Sequence, residues 1–149
     1  MGIDAQQRHV VSCPFCDIIA GQAPVSLIAE NERAIAFADY RQTVFGHVLV
    51  VPRRHIETVD AMDDDSAAAM MRLAVRVARA VRTELKPDGI SVWQSNGPAA
   101  FQEVPHVHLH VQARRHDDGL LRVYPNDPDP GTREELDELA RRLRPYFSA

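Results

Sequence analysis

The stretch His106-Val107-His108-Leu109-His110-Val111 alternates imidazole and apolar side chains without a break. Strict alternation is the pattern of a strand with one face toward a core. Successive side chains of a strand leave opposite faces. The spacing therefore predicts His106, His108 and His110 on one face, with Val107, Leu109 and Val111 packed behind. Neighbouring imidazoles would be separated by two residue rises, roughly 6.5–7 Å. A slip of one residue would bury the histidines in place of the aliphatic chains, so the register is strongly held. Three of the chain's seven histidines fall within these five positions. Imidazoles so arranged can serve as neutral nucleophiles, acids, bases or metal ligands near neutral pH.

The rest of the composition is that of an ordinary globular chain. With 149 residues, 45% hydrophobic and 26% charged, it is long enough for one domain with a real core. A net charge of −4, from 17 basic and 21 acidic side chains, argues against a nucleic-acid partner, whose footprint would be basic. A small anionic substrate needs only local positive potential and stays open. No apolar run reaches the length of a membrane span. Residues 1–11 are polar and lack a signal peptide's apolar stretch, and Gln6 stands where a myristoylation motif needs Ser or Thr. The expectation is a cytoplasmic protein with no membrane partner. The only cysteines, Cys13 and Cys16, form one CxxC, which in a reducing compartment reads as a metal half-site or a redox pair.

Read in order, residues 1–11 are a flexible N-terminal tail. Ser12 can cap a short helix reaching 19 or 20, with Pro14 in its first turn and Gly21 ending it. Strands follow at 25–30, 34–38 and 46–51, the last stopped by Pro52. Asp63, Asp64 and Asp65 put carboxylates at the start of a helix running to Leu85. Its apolar face is Met70, Ala74, Val77, Val81 and Leu85, and Arg72, Arg76, Arg79 and Arg82 fall on a solvated face. A fourth strand at 90–94, a loop at 95–105 and the histidine strand complete a domain at 12–116. Beyond it, 117–149 reads as a linker and a C-terminal helix that Thr132 and Glu135 start as a capping box. The order of elements predicts a single α+β domain, its five-stranded sheet mainly antiparallel, with one long helix and short N-terminal and C-terminal helices.

Taken with its neighbours, the histidine stretch resembles the signature of the histidine triad (HIT) superfamily of nucleotide hydrolases and nucleotidyl transferases. The resemblance runs from Cys13-Pro14-Phe15-Cys16-Asp17-Ile18-Ile19 through Gly46-His47 to Pro52-Arg53-Arg54-His55. It continues through Asn96-Gly97 and Gln102-Glu103-Val104-Pro105 into His106–Gln112, covering about residues 12–114. It implies a homodimer, for which the sequence offers the apolar face of the helix at 65–85. It also implies hydrolysis of nucleoside 5′-phosphoramidates or related substrates, such as AMP-lysine-type compounds and dinucleoside polyphosphates, through a nucleotidyl-histidine intermediate.

The same resemblance assigns the residues. His108 would be the nucleophile, with Asn96, Gln102 and His110 around the phosphate and leaving group. Asp39 would take the ribose hydroxyls, and Phe15, Ile18 and Phe37 would form an apolar slot for a purine, each with ordinary core packing as its alternative. Cys13, Cys16, His55 and His106 would hold a structural zinc, no organic cofactor being implied. His47 is expected to pack or hydrogen-bond, and His9 and His116 are given no role. Three positions depart from the pattern. Phe101 stands where many relatives carry Gly, which is expected to reshape the phosphate loop. Glu103 replaces a Ser, which bears on how the leaving group is protonated. Ala113 stands where a Pro often precedes the arginine, here Arg114, for which a phosphate contact is open but a solvated loop arginine is the preferred reading.

Two readings of other classes stand beside this one. Three imidazoles with an open position could hold a catalytic metal, as in zinc hydrolases, with Glu103 or Asp39 assisting a bound water. Alternatively the protein is a nucleotide-binding regulatory or scaffold protein that does not need His108 as a nucleophile.

Overall fold

The computed structural model describes residues 12–120, 123, 124, 126 and 128–147. The tail expected at 1–11 lies outside the described residues, as do 121, 122, 125 and 127 of the expected linker and the last two residues. Five strands form one sheet: β1 Leu27–Glu30, β2 Ala34–Ala38, β3 His47–Pro52, β4 Gly89–Trp93 and β5 Leu109–Arg114. Their order is β1-β2-β3-β5-β4, and every neighbouring pair is antiparallel. Three α-helices accompany them: α1 Pro14–Ile19, α2 Asp64–Leu85 and α3 Arg133–Leu143. This is the α+β architecture expected.

Helix α2 forms where the sequence supplies both a start and an apolar stripe. The Asp63 carboxylate accepts from the Ser66 amide at 2.9 Å, which holds its pKa below the usual carboxylate range, and Asp64 and Asp65 follow in the first turn. At the other end Lys86 turns left-handed, and the Arg115 guanidinium donates to the Leu85 and Lys86 carbonyls at 2.9 and 2.8 Å. Those acceptors would otherwise be orphans. Met70, Leu73, Ala74, Val77 and Val81 are buried against Ala34, Ala36, Val48, Val50, Val111 and Ala113 on one face of the sheet. The helix face expected to serve a dimer is therefore consumed by the core, because an amphipathic helix on a sheet must bury that stripe internally. Arg72, Arg76, Arg79 and Arg82 are exposed, as expected.

The opposite face of the sheet carries the site. Ile35, Phe37, Leu49 and Val51 form a second apolar cluster, closed by Phe15 from α1. Three local expectations are corrected here. The N-cap of α1 is Cys13, while Ser12 donates to Asp17 at 2.8 Å instead. Pro52 does not stop β3 short but is its last residue, paired with Ala34. The histidine stretch is not wholly strand: β5 begins at Leu109, so His106, Val107 and His108 lead into it as irregular backbone. The proline at 105 favours this, since it cannot donate to a ladder.

Between β2 and β3, Gly46 adopts φ +113°, and a Cβ there would come within 2.6 Å of Leu85 Cδ1 and 2.8 Å of Ala113 Cβ. Glycine is required at this turn for both conformation and space. Between Asp118 and Gly119 the chain divides into two compact units. The second contains α3, where Thr132 and Glu135 form the expected capping box. No helix among the described residues is long and apolar enough to cross a membrane.

Candidate active site and the adjoining cysteine and histidine cluster

The pleat decides which side chains meet. On β3, Val48 and Val50 face α2, so His47, Leu49 and Val51 face the other way. On β5, Val111 and Ala113 face α2, and His110 and Gln112 share the site face. The register sets His110 opposite Leu49 on β3 and Trp93 on β4. Trp93 consequently lies flat on His110, with ring centroids 4.4 Å apart and planes within 1°. Sequence reading missed Trp93, whose place depends on strand register rather than on any local motif.

His108 sits just before β5 and is 8% exposed. Its Nδ1 lies 2.7 Å from the main-chain carbonyl oxygen of His106. A carbonyl only accepts, so Nδ1 carries the proton and the lone pair is on Nε2. No protein group among the described residues bonds that Nε2. Among the described residues no buried side-chain nitrogen or oxygen lacks a partner, so Nε2 opens to solvent. Burial lowers the His108 pKa from its ordinary value, which keeps the ring neutral at physiological pH. The edge of Phe15 rests on it, with centroids 5.1 Å apart. His108 and His110 have centroids 4.8 Å apart, closer than the expected strand spacing because the backbone at His108 is not yet strand.

His110 is paired on its other side. Its Nδ1 is 2.9 Å from His47 Nε2, while His47 Nδ1 donates to the Arg41 carbonyl at 3.2 Å and lies 3.7 Å from the Asp39 carboxylate. With the His47 proton on Nδ1, its Nε2 accepts from Nδ1–H of His110. Burial, then the neighbouring His108 and His47, lower the His110 pKa to about 3. His47 thus hydrogen-bonds, as expected, and sits within the site.

Asp39 is buried, and its Oδ1 accepts from the Arg41 amide at 2.8 Å. Gln42, another residue without a sequence signal, fastens the same turn. Its amide donates to the Asp39 and His47 carbonyls and accepts from the Gly46 and His47 amides, all at 2.7–3.0 Å.

The loop at 95–105 carries the two amides. Asn96 Oδ1 accepts from the Val59 amide at 2.7 Å, and Asn96 Nδ2 donates to Gln94. Gln102 Oε1 accepts from the Gly97 amide, and Nε2 donates to the Glu57 carbonyl, both at 2.7 Å. Neither amide bonds a triad imidazole. Phe101, 89% exposed, takes the left-handed backbone at φ +62°, the conformation that glycine adopts freely. Arg114 is not a solvated loop arginine. It ends β5 and grips the Asp118 carboxylate at 2.6 and 2.8 Å and Ser91 at 2.9 Å.

Of the expected purine slot, Phe15 and Phe37 are buried edge to face with centroids 5.6 Å apart, and Ile18 packs half-buried beside them. The three are brought together next to His108.

His106 turns away from His108 toward α1. Sγ of Cys13, Sγ of Cys16 and ring nitrogens of His55 and His106 all lie within 4.8 Å of one another. The sulfur–nitrogen separations are 3.4 Å for Cys13–His106, 3.4 Å for Cys16–His55 and 3.7 Å for Cys16–His106, each to Nδ1. A tetrahedral zinc with Zn–S about 2.3 Å and Zn–N about 2.0–2.1 Å separates sulfur from nitrogen by about 3.5 Å. The four residues fit such an ion. His106 Nε2 donates to the Pro52 carbonyl at 2.9 Å, leaving its Nδ1 lone pair for the centre. The three triad imidazoles do not form one ligand set. A second group, Asp39, His47 and His110, also lies within 4.8 Å, but it shares only His110 with the triad.

Comparison with known proteins places the fold in a family. The family model for the HIT domain matches residues 20–117. A crystal structure of a HIT family member from Bacillus subtilis is 34% identical and superposes with a TM-score of 0.85, covering 93% of this chain and 99% of that one. A Zn-bound histidine triad family protein from Mycobacterium smegmatis is 39% identical with a TM-score of 0.69, covering 88% and 91%. The adenosine 5′-monophosphoramidase hnt1 of Schizosaccharomyces pombe is 34% identical over 123 residues, 80% of this chain and 90% of the relative. Sheet order, triad and matched span lead to one assignment: the chain belongs to the histidine triad (HIT) family.

Proposed function

We propose that the protein is a nucleotide hydrolase that cleaves purine nucleoside 5′-phosphoramidates and related nucleotidyl substrates through a covalent intermediate on His108. One observation carries this reading. The 2.7 Å bond from His108 Nδ1 to the His106 carbonyl fixes the lone pair on an open Nε2, so the nucleophile needs no separate base. That the S. pombe relative is an adenosine 5′-monophosphoramidase supports the substrate class.

In the first half-reaction the Nε2 lone pair forms a bond to the α-phosphorus. The phosphorus–nitrogen bond of the substrate breaks with its electron pair on the departing amine, which takes a proton from water. The imidazolium so formed keeps Nδ1–H on the His106 carbonyl. In the second, a water oxygen bonds to phosphorus and gives its proton to the hydroxide left by the first step, the phosphorus–Nε2 bond breaks with its electron pair on nitrogen, and a nucleoside 5′-monophosphate and neutral His108 remain. Asn96 and Gln102 each retain one amide N–H for a non-bridging oxygen, donors that add no titratable charge. His110, neutral, flanks phosphorus with an uncharged ring. Asp39 offers the carboxylate for the ribose hydroxyls, and Phe15, Ile18 and Phe37 the apolar wall for the purine.

A zinc ion on Cys13, Cys16, His55 and His106 would act structurally, tying α1 to the segment before β5. The zinc-bound M. smegmatis relative supports that identity. A reducing cytoplasm suits the thiolates, and a homodimer is part of the same family-based reading, to be checked by light scattering.

Intact-mass analysis with an AMP-lysine-type substrate tests the proposal: an adenylyl adduct forms on wild type and is absent from His108→Ala. His108→Asn should keep nucleotide affinity and lose turnover. Turnover retained in His108→Asn would overturn the nucleotidyl-His108 intermediate, and equal loss of affinity and turnover would favour the metal reading.

A further inference from the structure

The Arg41 guanidinium meets the Glu103 carboxylate in a two-pronged pair, Nη1–Oε1 3.2 Å and Nη2–Oε2 2.7 Å. Nothing in the mechanism above uses either side chain. The pair bridges the two loops that frame the triad, the turn after β2 and the loop at 95–105. Its position is fixed from both ends. The Arg41 amide donates to Asp39, its carbonyl accepts from His47, and its Nε stands 3.9 Å from Asp39 Oδ1. Glu103 follows Gln102, whose amide is anchored to Gly97 and Glu57. A continuous chain of contacts therefore runs Glu103–Arg41–Asp39–His47–His110. The side chains are 64% and 51% exposed, so the pair lies on the rim, reachable by a group leaving from His108. Glu103 also acts on the rings electrostatically, raising the His108 and His110 pKa values against the dominant effect of burial.

We propose that the Arg41–Glu103 pair selects the leaving group, with Glu103 receiving a cationic amine and the occupied Arg41 denying its charge to an anionic one. This rests on nucleotidyl transfer at His108 and adds the determinant of what departs. An exposed ion pair contributes little to stability, so its partners are exchangeable. Asp39, buried behind the Arg41–Glu103 pair at the rim, brings the three to one net negative charge. A leaving group bearing an ammonium gains from that charge, and a phosphate or polyphosphate leaving group is repelled. The Arg fork, suited to bind phosphate in two places, is already filled by a carboxylate.

The experiment compares kcat/KM for three adenylyl substrates: a lysine amide with its ammonium, a neutral arylalkylamine amide, and diadenosine polyphosphate. In Glu103→Gln the preference for the ammonium substrate over the neutral one falls about tenfold, and the polyphosphate substrate improves, as removal of one nearby charge requires. In Arg41→Gln the shift has the opposite sign, because Glu103 is left unneutralised. High salt should flatten the wild-type preference and leave Glu103→Gln little changed. If both variants move all three substrates by the same factor, the pair is merely structural and the inference is overturned. If the adenylyl adduct forms with unchanged preference in Glu103→Gln, this inference alone is lost. Absence of the adduct from wild type removes the parent reading and this one together.

Discussion

Trp93 lies flat against His110 across the β4–β5 pairing, with ring planes within 1° and centroids 4.4 Å apart. Trp93 is the chain's single tryptophan, and its fluorescence reports on the two imidazoles stacked against it, His110 and, with centroids 5.4 Å apart, His47. A protonated imidazole quenches a stacked indole, and a neutral one does so weakly. With the His110 pKa lowered to about 3, emission of the wild type and of His110→Gln should follow the same course from neutral pH through the ordinary histidine range near 6.5. A step near 6.5 that disappears in His110→Gln would contradict the buried, neutral assignment.

The same group links stability to acidity. The folded-state pKa of His110 is below its unfolded value of about 6.5, so between the two the unfolded chain binds the extra proton. Stability rises with pH where the unfolded state holds more protons. His110 therefore costs nothing at neutral pH, and its penalty grows as pH falls from about 6.5 toward about 3. His110→Gln should reduce the acid-side slope by up to about 1.4 kcal/mol per pH unit. Urea midpoints at pH values around 7 and 5 measure it; equal slopes in both proteins would refute the assignment.

Gly46→Ala should be among the costlier single-atom changes in the chain. The added Cβ meets Leu85 Cδ1 at 2.6 Å and Ala113 Cβ at 2.8 Å on a backbone at φ +113°. Overpacking and the left-handed penalty together suggest about 2–4 kcal/mol. Gly21→Ala is the control, since φ is +72° but nothing lies within 4 Å, and only the backbone part, about 1–2 kcal/mol, remains. Denaturant unfolding of the two variants gives the comparison, and equal losses would contradict the crowding at Gly46.

Removing metal from purified protein, or changing Cys13→Ser, should lower the melting temperature and release stoichiometric zinc. Metal analysis of the Cys13→Ser protein is the sharper measurement. Stoichiometric retention there would exclude the four-ligand set of Cys13, Cys16, His55 and His106.

How far the sequence alone reached depends on the range of each signal. Alternation at 106–111, the stripe Met70-Ala74-Val77-Val81 and the Thr132–Glu135 cap are local patterns, and each marked an element that formed. The facing of His110 and Trp93 is decided by register between strands that are adjacent in space and far apart along the chain. The Arg41–Glu103 pair joins positions 62 residues apart, and neither loop shows periodicity. The early end of the histidine strand was also hidden, because alternation continues through His106 and Val107 where strand pairing does not. The dimer surface was misread for a simpler reason: an apolar stripe announces burial without saying against what.

His106 occupies an unusual position in this arrangement. Its ring belongs to the cysteine cluster, while its peptide oxygen dictates which nitrogen of His108 is bare. On the proposed mechanism, anchorage and reactivity are thereby wired through one residue, so a disturbance of the amino-terminal hook would reach the nitrogen assigned to attack phosphorus without any side chain of that reaction being altered.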